Sequence, residues 1–477
     1  MMSLMEAAIA TEAARIAGDG VDPHIEGVSS DTRTLASGML FVALKGAHFD
    51  GHDFVAAAAG RGAAAALVNQ DWAAANAQRQ TGLPLLAVAD TRLALGRLGA
   101  GWRARFDIPL VGVTGSNGKT TVKEMTAAIL RAQARADGLD SDLAVLATTG
   151  NLNNDIGVPQ MLLRLRAGHR AAVIEMGMNH PGEIAYLAGL AQPTVALVNN
   201  AQRAHLAGLG SLVDVARAKG EIFSGLRAGG TAVINADDPF ADLWREMSAG
   251  CRVLTFGLER PADVRGHAEA KALGSVLTIR APQGVTETRL AVPGRHNARN
   301  ALAAAAAALA AGATLDAVAA GLRGFAGVKG RLQIRPAAAG ATLIDDSYNA
   351  NPDSARAAID VLATTPGRKL FVLGDMGEIG GQAGQFHDEI GGYAKSQGVD
   401  LLFALGEHSE LAARNFGAGG RHFANVEALL AALRVELAAD TAVLVKGSRF
   451  MRMERVADAI AAAGQTGAHC EGKHHAA

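Results

Sequence analysis

The chain has 477 residues, enough for about three domains if one domain takes roughly 150 residues. Its 45 basic and 46 acidic residues nearly cancel, so no basic stripe indicates nucleic acid and no polybasic segment indicates a membrane surface. The cysteines, Cys251 and Cys470, are too few for a disulfide framework, and the N-terminus lacks the basic segment of a signal peptide. We therefore expect a cytoplasmic protein without membrane insertion and without a nucleic-acid partner.

Residues 1–107 are predicted to form a small α/β N-terminal domain. The apolar pattern indicates a helix over 5–16 and a buried strand over 39–44. A polar loop beside a strand end could bind a phosphorylated ligand, and Ser30 and Arg33 are the candidate residues. A plain surface loop explains the same residues equally well.

The central motif of the chain is a strand, a glycine-rich loop and a helix over 110–122. Such a loop turns its backbone N–H groups toward phosphate, Lys119 can reach the outer phosphates, and Thr120 can ligate Mg²⁺. The strict pattern has glycine five places before Gly118, where this chain has Val113, so the loop is a variant form. The residues predicted to bind ATP here are Thr114, Gly115, Ser116, Asn117, Gly118, Lys119 and Thr120.

Residues 108–330 alternate strands with helices, which predicts a central ATPase domain built on a parallel sheet with helices on both faces. Strands are expected at 172–175, 194–198, 232–235 and 253–256, followed by a β-meander over 275–293. The loop over 150–157 is rich in amides and glycine, so Asn153 and Asn154 are candidates for binding phosphate or hydroxyl groups of a substrate.

Polar side chains near the predicted strand ends are candidate metal ligands. Glu175 ends a buried strand, and a carboxylate together with Thr120 is a sensible pair for Mg²⁺. His205 follows the next strand, although a lone histidine is more often structural. Lys219 lies on the following predicted helix, where a solvated face is the simpler interpretation.

Residues 331–465 alternate again and predict a C-terminal Rossmann-like α/β domain. Its short apolar strands are expected at 342–344, 370–373, 401–404 and 442–445. The small and polar tail over 466–477 is predicted to be disordered.

Several of these stretches resemble, in the same order, the motifs of the Mur ligases. These are ATP-dependent amide-forming enzymes of peptidoglycan precursor synthesis, and the variant phosphate loop is their form. The matching motifs lie at 114–121, 150–154, 175–177, 204–206, 218–221 and 294–297. The stretches at 175–182, 346–354 and 446–454 resemble the branch of the family that adds D-alanyl-D-alanine. The Asp-Asn-Pro-Arg motif of the neighbouring diamino-acid-adding ligase is absent from the sequence.

The resemblance assigns roles to single residues. It implies that Lys219 becomes carbamylated and holds a second Mg²⁺, with His205 as another ligand of that ion. It further implies that Asn297 and Arg331 contact the base and phosphates of ATP, and that Asp346 holds the ribose. The catalytic set is therefore Lys119, Glu175, His205, Lys219 and Arg331.

The same resemblance implies the substrates. The N-terminal domain is expected to bind the UDP end of UDP-N-acetylmuramoyl-tripeptide, and the amine substrate is expected to be D-alanyl-D-alanine. Asn349, Asn351 and Arg449 are nominated for the dipeptide from their place in the third domain alone. The identity of the third amino acid of the tripeptide stays open.

The expected reaction is phosphoryl transfer from ATP to a carboxylate, followed by attack of an amine on the acyl phosphate. Closure of the third domain over the nucleotide predicts a hinge near 327–330. We expect a monomer. Three alternatives stay open: a related ligase with another amine, an ATP-binding regulator that forms no bond, and a P-loop kinase.

Overall fold

The computed structural model describes residues 1–16, 22–76, 82–204, 206–271 and 274–461, with the side chains of 206 and 207 left out. Three successive α/β domains, each with its own sheet, confirm the predicted fold class. His205 and the tail over 466–477 lie outside the described residues, so the predictions on them stay predictions.

The first domain has a five-stranded sheet in the order β2-β7-β6-β5-β4, parallel except for β2. Its strands are β1 Met2–Ser3, β2 Ala14–Ile16, β3 His24–Ile25, β4 Gly27–Ser29, β5 Met39–Val42, β6 Ala65–Asn69 and β7 Leu85–Val88. Its helices are α1 Leu4–Thr11, α2 Val55–Gly60, α3 Gln70–Ala75 and α4 Thr91–Arg103.

The predicted helix over 5–16 is too long. A capping box between Ser3 and Glu6 starts α1, but the helix ends where Glu12 adopts a left-handed φ of 55°. The chain then forms the edge strand β2, which pairs antiparallel with β7. Residues 14–16 favour a helix by local propensity, but they form a strand because they pair with a strand about 70 residues further along the chain.

The second domain has a nine-stranded sheet in the order β16-β15-β14-β13-β12-β11-β8-β10-β9. Its strands are β8 Leu110–Thr114, β9 Val145–Ala147, β10 Ala171–Glu175, β11 Val195–Val198, β12 Thr231–Asn235, β13 Arg252–Gly257, β14 Val264–Lys271, β15 Gly274–Ala281 and β16 Gly284–Leu290. Its helices are α5 Lys119–Ala136, α6 Ser141–Ala144, α7 Gly157–Leu162, α8 Glu183–Ala191, α9 Leu206–Leu209, α10 Leu212–Gly220, α11 Ala241–Met247, α12 Arg295–Ala310 and α13 Leu315–Arg323.

This sheet is parallel from β9 to β14 and antiparallel from β14 to β16, so the prediction of a parallel sheet holds for the part that carries the phosphate loop. The predicted meander over 275–293 is longer than expected, because β14 begins at Val264. That strand was missed because most of its residues are exposed or half-buried, which removes the apolar signal.

The third domain has a six-stranded sheet in the order β17-β18-β22-β19-β20-β21, parallel except for β17. Its strands are β17 Gln333–Pro336, β18 Thr342–Asp346, β19 Arg368–Gly374, β20 Leu401–Leu405, β21 Gly420–Phe423 and β22 Thr441–Lys446. Its helices are α14 Pro352–Ala363, α15 Ala383–Ser396, α16 Ser409–Phe416, α17 Val426–Glu436 and α18 Glu454–Ile460.

A shared apolar core joins the first and second domains. Leu4 and Leu95 belong to the same apolar cluster as Met161 and Ile222, so one core crosses the domain boundary. Over the described residues, none of the helices is both long and apolar enough to cross a membrane.

Candidate active site

The phosphate loop runs between β8 and α5, as predicted. Gly118 precedes the helix with a φ of 79°, and a Cβ there would lie 2.5 Å from Asn300 Oδ1. Asn200 holds the loop from β11: its backbone carbonyl accepts from the Ser116 N–H at 3.0 Å, and its side-chain oxygen accepts from the Asn117 N–H at 2.8 Å. The loop conformation is thus set by residues from two other parts of the domain.

The Lys119 side chain folds back along the loop. Its Nζ donates to the carbonyl oxygens of Gly115 at 2.7 Å and of Ser116 at 3.3 Å. Burial lowers the pKa of the Lys119 amine, while the nearby carboxylates of Glu175 and Glu378 act in the opposite sense. Lys119 thus lies where a phosphate can replace two carbonyl partners.

Glu175 is the last residue of β10 and is buried. One carboxylate oxygen, Oε1, accepts a hydrogen bond from Asn153 Nδ2 at 2.8 Å, and the Glu175 backbone N–H donates to Thr148 Oγ1 at 2.9 Å. The other oxygen, Oε2, is buried and has no hydrogen-bond partner among the described residues. A buried carboxylate oxygen of this kind is a suitable ligand for a cation.

Lys219 lies on α10 and is wholly buried, so the solvated-face interpretation is wrong. Its Nζ has no hydrogen-bond partner among the described residues. Burial, together with the positive charge of Lys119, lowers the pKa of the Lys219 amine well below its ordinary value of 10.5. A lowered pKa increases the share of a buried amine that is in its neutral, nucleophilic form.

The third domain places cations and a ring on the opposite wall. The Arg331 guanidinium lies 4.3 Å from the ring centroid of Tyr348, and that of Arg449 lies 5.5 Å from the same ring. Asp346 ends β18 and accepts from Lys446 Nζ at 2.5 Å. Burial nevertheless raises the pKa of the Asp346 carboxyl, with Lys446 acting against it.

A chain of amides links α12 to the phosphate loop. Asn297 is buried, donates to the carbonyl oxygen of Pro293 at 2.8 Å and accepts from Asn300 Nδ2 at 3.2 Å. Asn300 Oδ1 in turn accepts from Asn199 Nδ2 at 2.9 Å. The preceding His296 is neutral at pH 7, because burial, with help from Lys446, lowers its pKa to about 4.

The second and third domains contact each other directly at this edge. Asn351 Nδ2 donates to Asn117 Oδ1 at 2.8 Å. Arg203, in the loop after β11, pairs with Asp353 at 2.7 Å and with Glu389 at 3.0 Å. The structure therefore holds the third domain against the phosphate loop.

One cavity of about 850 Å³ lies between these walls, and the parallel strands of both domains end around it. Most of the predicted site residues line it: Ser116, Asn117, Gly118, Lys119, Thr120, Asn153, Asn154, Glu175, Asn297, Arg331, Asp346, Asn349 and Asn351. Further lining residues were not nominated from the sequence, among them Asn200, Tyr348, Glu378 and Lys446. The signal that could have found Asn200 is its place directly after a buried strand, beside Asn199, because the same kind of position identified Glu175 at the end of its strand.

Some predicted residues do not line the cavity. Thr114 is buried and donates to the Met176 carbonyl oxygen at 2.9 Å, and Gly115 and Lys219 are not among the lining residues. Arg449 is exposed and pairs with Glu454 at 2.8 Å.

The two predicted residues of the first domain are also away from the lining. Ser30 Oγ accepts from Gln160 Nε2 at 2.9 Å, across the boundary with the second domain. Arg33 is 86% exposed and pairs with Asp31 at 2.7 Å. The binding roles of these two residues stay predictions.

The described residues include some of the predicted metal ligands. Within the described ranges, no group of three or more His, Cys, Asp or Glu residues is arranged to hold a metal ion. The expected ligands Thr120 and Lys219 are of other residue types, and His205 lies outside those ranges. Glu175 is therefore the one predicted carboxylate ligand that the structure describes.

A phosphate loop that faces a second α/β domain across a polar cavity defines a multidomain P-loop enzyme. Three family models together match most of the chain: the Mur ligase family catalytic domain at 24–103, the Mur ligase middle domain at 113–308 and the Mur ligase glutamate ligase domain at 330–449. The chain belongs to the Mur ligase family and is therefore a ligase.

Individual relatives agree over almost their full length. The chain is 44% identical to the UDP-N-acetylmuramoyl-tripeptide--D-alanyl-D-alanine ligase of Escherichia coli (strain K12), covering 92% of this chain and 95% of that protein. A crystal structure of MurF from Acinetobacter baumannii matches with a TM-score of 0.87 and 36% identity, over 96% and 98% of the two chains. MurF from Thermotoga maritima, solved in complex with ADP, matches with a TM-score of 0.76 and 27% identity, over 91% and 96%.

Proposed function

We propose that the chain joins D-alanyl-D-alanine to the terminal carboxylate of UDP-N-acetylmuramoyl-tripeptide and converts ATP to ADP and phosphate. The observation that carries the proposal is the single cavity that holds Lys119, Glu175 and Arg331 between two domains. Two relatives named as UDP-N-acetylmuramoyl-tripeptide--D-alanyl-D-alanine ligases match over more than nine-tenths of the chain. We propose that this reaction belongs to peptidoglycan precursor synthesis and takes place in the cytoplasm.

ATP is proposed to lie with its phosphates on the loop over 114–120. The backbone N–H groups at the start of α5 and the Lys119 amine supply positive charge for the phosphates. Arg331 approaches from the third domain, where Tyr348 stacks against it. We propose Asn297 for the base and Asp346 for the ribose, although Asp346 must exchange part of its contact with Lys446 to do so.

The described residues are chemically suited to Mg²⁺. Glu175 Oε2 is a buried oxygen without a partner among the described residues, and Thr120 lies on the same cavity. We propose Thr120 and Glu175 as ligands of one ion, and His205 with carbamylated Lys219 as ligands of a second. Bound Mg²⁺ would neutralise phosphate charge as the transfer proceeds.

The state of the Lys219 amine favours carbamylation. A carbamate forms when a neutral amine attacks carbon dioxide, and the lowered pKa of Lys219 supplies the neutral form. Its Nζ lacks a hydrogen-bond partner among the described residues, so the added carboxylate replaces an unsatisfied group with a metal ligand. This state of Lys219 is a proposal.

The chain contributes mainly charge and position to the reaction. In the first step a carboxylate approaches the γ-phosphate, so two anions must meet. Lys119 and Arg331 face the cavity from opposite domains and reduce that repulsion. In the second step the amine attacks the acyl carbon, and phosphate leaves with the electrons of the C–O bond.

The substrate sites are proposed by position. We propose that the first domain binds the UDP end of the acceptor, with Ser30 and Arg33 as candidates. We propose Asn153 and Asn154, which line the cavity, as further contacts of the acceptor. We propose Asn349, Asn351 and Arg449 for the dipeptide. The proposed enzyme is a monomer.

A hinge between the second and third domains is proposed near Gly327 and Gly330. Both glycines have positive φ, 93° and 71°, which other residues adopt with difficulty. Small-angle scattering profiles recorded with and without nucleotide and acceptor would test closure. Superimposable profiles would rule out a large movement.

The activity is tested by phosphate release from ATP with Mg²⁺ and UDP-N-acetylmuramoyl-tripeptide, with and without D-alanyl-D-alanine. Release that depends on both substrates, with a matching pentapeptide product, supports the proposal. Release with another amine assigns a related specificity, and release without any amine product points to kinase or ATPase chemistry. Absence of release with every pairing contradicts the proposed reaction.

A further inference from the structure

A second concave surface lies on the second domain. It is a groove of about 410 Å³ where β14 pairs with β15 and the segment after β13 approaches them. We refer to this surface as the arginine groove, because its charged lining consists mainly of Arg260, Arg265, His267 and Arg280. None of the described residues that line it also lines the cavity of the candidate active site.

The sheet register places two of these cations directly opposite each other. Arg265 on β14 and Arg280 on β15 are partners in the antiparallel ladder, so their Cβ atoms lie about 5 Å apart on one face of the sheet. His267 follows two residues after Arg265 and shares that face. Like charges at directly opposed positions destabilise a strand pair. Residues that lower stability in this way are common where a protein binds a ligand.

The three arginines of the groove have no ion pair in the described part of the chain, where no carboxylate oxygen lies within 4.0 Å of their guanidinium nitrogens. Glu259 lines the groove but pairs with Arg295, which does not. The other carboxylates nearby have partners of their own or lie outside the lining: Glu269 with Lys271, Asp263 with Thr255, and Glu287 on β16. The groove therefore keeps a local positive charge, although the net charge of the chain is −1.

The segment that carries Arg260 has a fixed backbone. The Asp237 carboxylate accepts from the backbone N–H groups of Leu258 at 2.8 Å, Glu259 at 3.0 Å and Arg260 at 2.9 Å. Asp237 also pairs with Arg299 on α12 at 3.1 Å. This side of the groove is thus ordered before any ligand binds, which lowers the entropic cost of binding.

The charge and size of the groove indicate a small anion with several charges. Guanidinium groups bind phosphate and carboxylate oxygens through paired hydrogen bonds. A chain of two or three phosphates supplies enough charge for three arginines, whereas one carboxylate supplies a single charge. The volume is within the range of about 300–1,000 Å³ that is typical of small-molecule sites. A nucleic acid fits less well, because the basic residues form one local cluster on a nearly neutral chain.

We propose that the arginine groove binds a small molecule that carries a diphosphate or triphosphate group. Arg265 and Arg280 bind phosphate oxygens from the two strands, and Arg260 binds them from the segment after β13. Nucleotides and UDP-linked compounds both contain this group, so the phosphate chain is the chemistry that they share. The inference does not depend on the proposed ligase reaction.

The test is labelling of exposed arginines in the full chain with phenylglyoxal, read residue by residue by mass spectrometry. Inorganic pyrophosphate is the probe. At a concentration about ten times its Kd, it is expected to slow the labelling of Arg265 and Arg280 about tenfold. Arg252 is the internal control, because it is exposed on β13 and does not line the groove, so its labelling is expected to stay unchanged.

Two variants separate binding from a structural role. Arg265→Gln and Arg280→Gln each remove one of the opposed charges, so protection of the remaining arginine is expected to require about 10- to 100-fold more pyrophosphate. Without ligand, each variant is expected to melt at the same temperature as the parent or up to about 4 °C higher, because the repulsion is relieved. Arg252→Gln is the matched control and is expected to change neither quantity.

The outcomes are distinct. Absence of protection at about 1 mM pyrophosphate would overturn the inference, as would lower melting temperatures of both variants with unchanged protection. Stronger protection by citrate would assign a carboxylate ligand instead, and stronger protection by a DNA duplex would assign a nucleic acid; either result overturns the proposal. Protection by ATP or by UDP, measured in the same way, supports the proposal, and the stronger of the two identifies the source of the phosphate chain.

Discussion

Replacing Lys219 by methionine is expected to stabilise the protein and abolish its turnover. The Lys219 amine is wholly buried and has no hydrogen-bond partner among the described residues. Leaving such a polar group unsatisfied costs about 1–3 kcal/mol of folding free energy. Methionine has a similar length and no polar donor, so Lys219→Met is expected to recover about that amount.

The expected size of the effect is measurable. For a domain of about 200 residues, 1 kcal/mol corresponds to roughly 2–4 °C in melting temperature. We therefore expect Lys219→Met to melt about 2–12 °C higher than the parent protein in metal-free buffer depleted of carbon dioxide. Turnover is expected to be lost and not restored by bicarbonate, because methionine cannot form a carbamate.

The pH dependence gives a second readout. The pKa of Lys219 is lowered in the folded protein, so the unfolded state binds more protons below the ordinary value of 10.5. The free energy of unfolding of the parent therefore rises with pH between the lowered pKa and 10.5 through this group. In Lys219→Met, the free energy of unfolding is expected to rise less steeply with pH over this range, because methionine does not titrate.

Lys123 supplies the matched control. It is also buried in the second domain, but its Nζ donates to the Thr148 carbonyl oxygen at 2.7 Å and pairs with Glu124. Lys123→Met removes these partners and is expected to destabilise by about 1–3 kcal/mol. A lower melting temperature for Lys219→Met, or retained turnover, would refute the reasoning.

Three further substitutions probe other parts of the site. Arg203→Ala removes ion pairs to Asp353 and Glu389 in the third domain, each worth on the order of 1 kcal/mol. Because these pairs hold the second and third domains together, small-angle scattering is expected to show a larger radius of gyration. An unchanged scattering profile contradicts this. The lowered pKa of His296 makes the free energy of unfolding fall as the pH drops from 6.5 to about 4, because the unfolded state binds the proton first. His296→Gln is expected to reduce that fall, as measured by denaturant unfolding at several pH values. Gly118→Ala is expected to weaken nucleotide binding at least about tenfold by calorimetry, because its φ of 79° suits glycine.

The amino-acid pattern predicted the parts of the site that depend on neighbouring residues. The strand, loop and helix around Lys119 form a continuous segment, and the carboxylate of Glu175 directly ends a buried strand. Parallel strands end at one edge of a sheet, so these positions were predictable without the third dimension. The roles of Asn297, Arg331 and Asp346 came from family resemblance and stay proposals.

Local pattern was insufficient where a distant partner decides the structure. The first helix ends at Thr11, five residues before the predicted end, because the next segment pairs with β7. Strand β14 was missed for the opposite reason, since its pairing with β15 stabilises residues that carry little apolar signal. Propensity describes the isolated segment, and sheet pairing can override it.

The sequence by itself determined the order of the three α/β domains, the phosphate loop and the family. Only the tertiary structure decided that Lys219 is buried, that Asn351 of the third domain contacts Asn117 of the phosphate loop, and that Arg203 joins two domains. The physical reason is that burial and charge interactions depend on the surroundings of a side chain, and residues from distant parts of the chain supply those surroundings.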